Sequence, residues 1–598
     1  MSHDAREPWY KQTDEDRLPA AVIERVHGLE MTQETLRERW FKLACMYDPY
    51  LEFESGHLDA PAALGQAIEN IIASNVDSVT SIASVTEVRP RFVTDGASWA
   101  EQRRAKGLAY YSEGLMRLFD IREKCIGAFK EAALKGTGLV KVWVDEHDKL
   151  QIDTVMVDDV VVDERQVRSG GKLREMHHRV FVDRDALIER YASDDPVLAM
   201  KISEAQQAPM DGINFYSWAD AYDLDDNQVV MIESWHLGAK PRHTIVIDGA
   251  VLRDEPWEFD FFPMARVVWT ERRPGWYGIG GGERVAGQQR RLNKYNWQTD
   301  RIIDRHAMPT TWFHVMDADL GIFERNSLGN LAAFRNQVPT TVNPPALNPD
   351  MLLRTQDMRE QGYREFGMSE MAATATKPSG LESGASLREW RDITTQRFAL
   401  QERAHEHGVL DVVWLAIQFC KKLGDKAPEV YSVRRRKTFK WADVEGDVVR
   451  QQLQAANNLP TTPSGRRQLA VELSTAGLIG TDEARRLLGP TDPLDVESAM
   501  RPHLAALDHA DWQIERILDG EIVVPSPYGS VSLTAWRAQQ AYLVEETAPD
   551  APPEVLENLR SFITLSLWLQ KRAEQGAMMR AAGADPGAAA GMPPAGPA

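Results

Sequence analysis

Cysteine is nearly absent: Cys45, Cys125 and Cys420 are the three in 598 residues, far apart and without a CxxC pair. That excludes a disulfide framework and a cysteine-built zinc site, and it points to a reducing compartment. No run reaches about 18 uninterrupted apolar residues, so no membrane-spanning helix is expected. The opening stretch MSHDAREPWYKQTDEDRLP has no apolar core of the kind a secretory leader needs, and none is expected. Positive charge is in deficit as well, with 69 Lys and Arg against 89 Asp and Glu, a formal charge of −20. Bulk basicity therefore does not hold this chain on nucleic acid, although local basic patches stay open. HExxH, GxSxG and the protein-kinase signatures are also missing, so enzymatic chemistry has no motif to rest on.

What is present is material for folded cores. At 43% hydrophobic and 26% charged, a chain of this length divides into two to four domains. Helical periodicity predicts helices over 18–47, with Trp40 and Phe41 as anchors, and over a second segment carrying Leu64, Ile68, Ile71, Ile72, Val76, Val79 and Ile82 before Pro90. A third runs over 98–135 and stops at Gly136 and Gly138. The period then changes to β-branched segments at 139–144, 150–164, 177–183, 228–237 and 242–252, with a short aspartate-capped helix at 183–191. Further helices are predicted over 282–306, 350–366, 385–422, 464–475, 481–488, 494–519 and 531–577. Residues 430–444 are strand-like, and the tail from 578 to 598, dominated by Ala, Gly and Pro from 581 on, is expected to be disordered.

Several clusters invite chemistry. Gly275, Gly278, Gly280, Gly281 and Gly282 follow a strand ending at Arg272 and Arg273 and open a helix, the setting of a phosphate loop; the Lys-Ser/Thr and dinucleotide spacings are missing, so a structural bend is favoured. SGGKL at 169–173 is a weaker instance. Asp158, Asp159, Asp163 and Glu164 are the densest acidic group, the raw material of a two-metal nuclease. In a continuous strand Asp159 and Asp163 would share one face, with Asp158 and Glu164 on the other. His177 and His178 would point to opposite faces, poor geometry for holding one metal. Arg434, Arg435, Arg436, Lys437 and Lys440 lie beside Phe439 and Trp441, a mixture compatible with nucleic acid or with a solvated strand edge. The 282–306 segment has only a sparse apolar stripe of Val285, Leu292, Tyr295, Ile302 and Ile303. It carries Arg284, Arg290, Arg291, Lys294, Arg301 and Arg305 against Glu283, Asp300 and Asp304, so it needs partners beyond a hydrophobic core. MAATATKPSGLESGASLREW, 371–390, reads as a small-residue loop entering a helix, with Lys377 as its one cation before Arg388.

In combination these segments resemble the portal proteins of tailed bacteriophages, most closely those of short-tailed phages or prophages. GTGLVKVWV and VMVDDVVVDERQVRSGGKLREMHHRVFVDRDALIERY resemble the family's wing. FFPMARVVWTERRPGWYGIGGGERVAGQQRRLNKYNWQTDRII resembles the passage from wing to first stem helix, with the Gly-x-Gly bend and a Gln-x2-Leu-Asn core at Gln289–Asn293. FGMSEMAATATKPSGLESGASLREWRD resembles the tunnel loop and the start of a long wing helix. The likeness covers roughly 30–500 and is weaker toward the C-terminus.

The resemblance implies an α+β multidomain portal fold with helical stem, mixed α/β wing, small α/β clip and helical crown. Its segments would be an N-terminal extension at 1–29, wing at 30–281 and 385–500, stem helices at 282–306 and 349–367, clip at 307–348, tunnel loop at 368–384 and crown at 501–577. It further implies a ring of normally twelve copies at the unique capsid vertex, assembled in the host cytoplasm, passing double-stranded DNA during packaging and ejection. Partners would be the terminase large subunit, head-tail adaptor or tail proteins, and the major capsid and scaffolding proteins, with no membrane, cofactor, metal or catalytic residue. DNA-channel candidates are then Lys377, Arg290, Arg291, Lys294 and Arg301; Gly380 and Gly384 would give the tunnel loop its freedom, and Gly278, Gly280, Gly281 and Gly282 would form the wing-to-stem bend. Two other classes stay open at this point: a metal-dependent nuclease using Asp158, Asp159, Asp163 and Glu164, and a non-portal structural adaptor.

Overall fold

The computed structural model describes residues 7–48, 69–85, 88–93, 98–168, 171–193, 195–206, 227–273, 275–307, 310–312, 340–342, 349–368, 397–432, 437–444, 450–454, 470–477, 496–548 and 550–581. They form a mixed α/β architecture of many helices and small sheets, gathered into two units. One unit comes from Met1–Ser84, Glu123–Val142 and Ile152–Val412, the other from Val85–Arg122, Trp143–Gln151 and Val413–Ala598. The expected wing segments are shared between them. Among the described residues no helix is long and apolar enough to cross a membrane.

The first unit starts from the helix Leu18–Tyr47. Pro19 sits in its first turn, where a missing N–H costs nothing. Leu18, Val22, Ile23, Val26 and Leu29 recur at helical spacing and pack with Val161, Val230, Ile232 and Val246 on one face of a five-stranded antiparallel sheet. That sheet runs in the order Val160–Val162, Glu175–Asp183, Gln228–His236, Arg242–Ile247, Ala250–Pro256. Strand alternation sends Val229, Met231, Ile245 and Ile247 to the opposite face, where Leu187 and Ile202 of two short helices cover them. Residues 242–252, expected as one strand, are two: Asp248-Gly249 forms a tight turn, with Gly249 at φ 76°. A three-stranded sheet has the order Leu150–Val155, Thr137–Val144, Met264–Val268. The last of these strands ends at Val268, short of the expected Arg272.

After it the chain enters a pair of packed helices, Gly281–Ala307 and Pro349–Phe366. Between them in sequence, Thr310–Trp312 and Thr340–Val342 pair antiparallel.

In the second unit the helix Trp99–Leu118 starts at Ser98, whose amide donates to Glu101 Oε2 at 3.2 Å. It stops at Phe119, so the helix expected over 98–135 is two, broken where Asp120 takes the left-handed φ of 49°. Arg89–Val93 pairs antiparallel with Arg450–Gln454, and Val430–Ser432 with Lys437–Phe439. Three helices, Val496–Leu518, Val531–Glu546 and Pro553–Ala581, close a small core around Ile517, Ala538, Leu559 and Phe562. The last helix runs through Ala581, four residues into the segment expected to be disordered. The helix predicted at 481–488 lies outside the described residues, as do 385–396 and 464–469 of two others.

The strand expected over 150–164 is also interrupted. Val157–Asp159 is a 3-10 turn, Val160–Val162 is the strand, and Glu164 opens a short helix. The predicted alternation of Asp158, Asp159, Asp163 and Glu164 between two faces therefore does not occur. The helix Arg184–Tyr191 stands where expected, but Asp183 in its N-cap position makes no capping hydrogen bond with its side chain.

Candidate nucleic-acid interface

The basic helix Gly281–Ala307 is built onto a joint of glycines. A Cβ added at Gly278 would collide with the Gly136 carbonyl, at Gly280 and Gly282 with Leu134, and at Gly281 with the Phe366 ring. Backbone meets backbone here, which only glycine allows. Three bonds lock the approach: Gly278 N–H donates to Thr137 Oγ1 at 2.8 Å, Ile279 N–H to Thr270 O at 2.8 Å, and Trp269 N–H to Gly136 O at 3.1 Å. Just ahead, Tyr277 is fully buried and its hydroxyl donates to Val160 O at 2.9 Å. The four glycines assigned to the bend thus make a rigid seat at the end of helix Ile121–Lys135, rather than a phosphate cradle.

At 100° per residue, the buried positions of this helix, Gly281, Gly282, Val285, Ala286, Gln289 and Leu292, fall on one side. Arg284, Arg290, Arg291, Lys294 and Arg301 all fall within an arc of roughly 120° on the other, and all five are exposed. Along the axis the arc extends about 26 Å, from Arg284 to Arg301. Arg284 donates to Thr270 Oγ1 at 3.1 Å, Arg290 lies 3.4 Å from Ala286 O, and the Arg301 guanidinium sits 4.1 Å from the centre of the Trp297 ring. Arg291 and Lys294 make no ion pair among the described residues. The one carboxylate on this side, Glu283, is already held by Arg39 and Arg272 at the start of the helix.

The acidic group contrasts with this face. Asp158 is buried and paired with Lys135, a cation on the preceding helix that no short-range sequence pattern links to it. Burial alone would lower the Lys135 pKa, but Asp158 and Glu131 beside it raise it. Arg37 donates to the carbonyls of Asp158 and, at 3.2 Å, of Val160, while Gln33 donates to Val162 O at 2.6 Å. These two side chains satisfy the open edge of the Val160–Val162 strand. Asp163 pairs with Arg25 at 2.8 Å, and Glu164 accepts from the Trp276 amide at 3.1 Å. Burial pushes the Asp159 carboxyl up to about 6 and that of Glu131 up to about 7, neighbouring Asp158 adding to both. Among the described residues no group of three or more His, Cys, Asp or Glu could hold a metal ion.

His177 and His178 point to opposite faces, as strand geometry requires. His177 Nδ1 is 2.8 Å from Ser234 Oγ and His178 lies 4.0 Å from Glu233, and burial lowers both to about 4. An open cleft of about 1040 Å³ beside Trp9, Tyr10 and His236 includes Arg25, whose charge Asp163 and Glu175 already match. In the basic run, Phe439 and Trp441 are buried against Tyr110 and Tyr111, and Lys440 pairs with Glu429 at 2.9 Å, so these aromatics offer no stacking platform. Arg434, Arg435 and Arg436 lie outside the described residues, as do Lys377, Gly380 and Gly384.

No protein-family model matches the chain, and no curated protein matches it.

Proposed function

We propose that this chain is a portal subunit. Twelve copies would form a ring at the unique capsid vertex, pass double-stranded DNA inward during packaging and outward during ejection, and dock the terminase large subunit and then head-tail adaptor proteins. The observation that carries this reading is the helix pair Gly281–Ala307 and Pro349–Phe366 with, among the described residues between them, a small β pair, the first helix being packed on one side and cationic on the other. A stem–clip–stem passage has this order, and the glycine seat gives it a fixed root. In the expected segmentation these helices are the stem, residues 307–348 the clip and the C-terminal helices the crown.

The electrostatics suit conduction. Twelve copies of −20 give a ring of about −240, whose field discourages phosphate from settling on the wall. Salt screens over about 8 Å, so the exposed cations would touch only phosphates that pass close by. Such contacts are independent of sequence and salt-sensitive, which lets DNA slide. The acidic group lends no support to a nuclease, because Asp158, Asp163 and Glu164 are taken up by Lys135, Arg25 and backbone amides.

Particle images of the purified chain, together with native mass measurement, test the assignment. Closed rings with a central pore wide enough for a duplex are expected. A homogeneous monomer across salt conditions, with no ring even beside capsid components, refutes it.

A further inference from the structure

Gln289 is almost fully buried, at 1% exposure, in a helix otherwise rich in solvated side chains. Its Oε1 accepts from the amides of Ile71 at 2.8 Å and Ile72 at 3.4 Å, and its Nε2 donates to Glu69 O at 2.6 Å and to Asn293 Oδ1 at 2.8 Å. The first four N–H groups of an α-helix have no partner within the helix. In helix Ile71–Val85 all four are accounted for: Gln289 takes Ile71 and Ile72, the Asn70 side chain takes Ala73 at 2.8 Å, and Asn70 O takes Ser74 at 3.4 Å. Half of this cap comes from a residue more than two hundred positions away. The second helix of the pair grips the same end: Arg359 donates to Glu69 Oε2 at 2.9 Å, and Gly362 leaves room for the Ile71 side chain.

We infer that Gln289 is a positioning residue: by capping helix Ile71–Val85 from across the fold, with Arg359 beside it, it fixes the angle at which the basic helix and its cations are held. That the cations meet DNA rests on the portal reading; the clasp itself does not.

Two variants separate capping from filling. Gln289→Met keeps the volume and removes every hydrogen bond. Gln289→Glu keeps the acceptor for Ile71 and Ile72, where a carboxylate suits a helix N-terminus, and loses the donor to Glu69 O and Asn293 Oδ1. Amide hydrogen exchange of the Ile71–Ile72 turn reads the cap. Spin labels at Ser81→Cys and Gly287→Cys read the angle, in labelled chains diluted with unlabelled ones; Ser81 is exposed, Gly287 has open space for a side chain, and the three native cysteines are buried. With Gln289→Met, exchange of that turn is expected to speed up by about tenfold or more and the label distances to broaden, whereas Gln289→Glu, which keeps the acceptor, holds the turn more protected than Gln289→Met does. In heads, Gln289→Met should lower packaged DNA more than ring yield. A folded Gln289→Met with unchanged exchange and distances overturns the inference, as does a Gln289→Glu that loses protection equally. Should Met unfold the chain, Gln289→Glu, which keeps the acceptor for Ile71 and Ile72, decides: a folded variant with a protected turn upholds the cap, and a folded one with an unprotected turn refutes it. A wild-type chain that forms no ring sinks the portal reading and leaves the exchange result standing.

Discussion

The carboxylates at 158–164 and the cations at 284–301 lie in the same unit and carry comparable local charge, yet their surroundings are opposite. Asp158 is 2% exposed and Asp163 and Glu164 are spoken for by Arg25 and by backbone N–H groups, whereas Arg284, Arg290, Arg291, Lys294 and Arg301 of the basic helix are exposed, and Arg291 and Lys294 make no ion pair among the described residues. Charge with a built-in partner holds the fold together, and charge without one is free to meet something outside it. The denser cluster in the sequence is therefore the structural one. The dispersed cations, brought onto one arc by the helical period, form the better candidate surface.

The sharpest way to break this contrast is to remove one partner from the buried side. Lys135→Met leaves Asp158 charged and unpaired in the interior, and unfolding stability should drop by about 3–5 kcal/mol in chemical denaturation. A loss below about 1 kcal/mol would place the pair effectively in solvent and erase the distinction. Gly280→Ala attacks the seat that holds the basic helix, forcing a methyl into the Leu134 carbonyl at an expected cost of about 1–3 kcal/mol. A variant as stable as wild type would mean that the seat yields.

Protonation tests the buried side more gently. The Glu131 carboxyl stands near 7 in the native state, against an ordinary 4.5, so the native state holds its proton more tightly than the unfolded chain does. The cost of ionising it grows as pH rises from about 4.5 to about 7 and is absent below that window. Glu131→Gln removes the titration. Relative to wild type the variant should therefore gain, between pH 5 and pH 8, on the order of 1–3 kcal/mol in urea denaturation. An unchanged difference at the two pH values would mean that Glu131 ionises as an exposed carboxylate does.

Local patterns reached a good part of this fold. Helix Leu18–Tyr47 was legible to the residue, because its apolar spacing is regular and Pro19 marks its start. The basic helix was legible from the same period, and so was the glycine bend ahead of it. What those glycines pack against was not, because Leu134 and Gly136 lie in a distant segment. The break at Asp120 depends on one residue taking a left-handed φ, which no apolar period encodes. Strand alternation failed for Asp158 through Glu164 because a 3-10 turn intervenes before Val160. The partnerships of Lys135, Arg37 and Gln289 were not legible for a shared reason: each acts across a loop closure, on a residue with which it forms no short-range pattern.

The exposed side of the contrast makes the smallest demand on stability and the most specific one on binding. Arg291→Ala with Lys294→Ala removes two cations that have no ion pair among the described residues, so unfolding stability should move by less than about 0.5 kcal/mol. If these cations lie against phosphates, each one lost should flatten the dependence of log affinity for duplex DNA on log salt by about 0.9. Measuring that slope for the assembled protein from 50 to 200 mM salt separates the two sides cleanly. A double variant with unchanged stability and a shallower slope puts the helix on the DNA path. Unchanged stability with an unchanged slope moves the DNA contact elsewhere, and a large loss of stability would show that these exposed cations had structural partners after all.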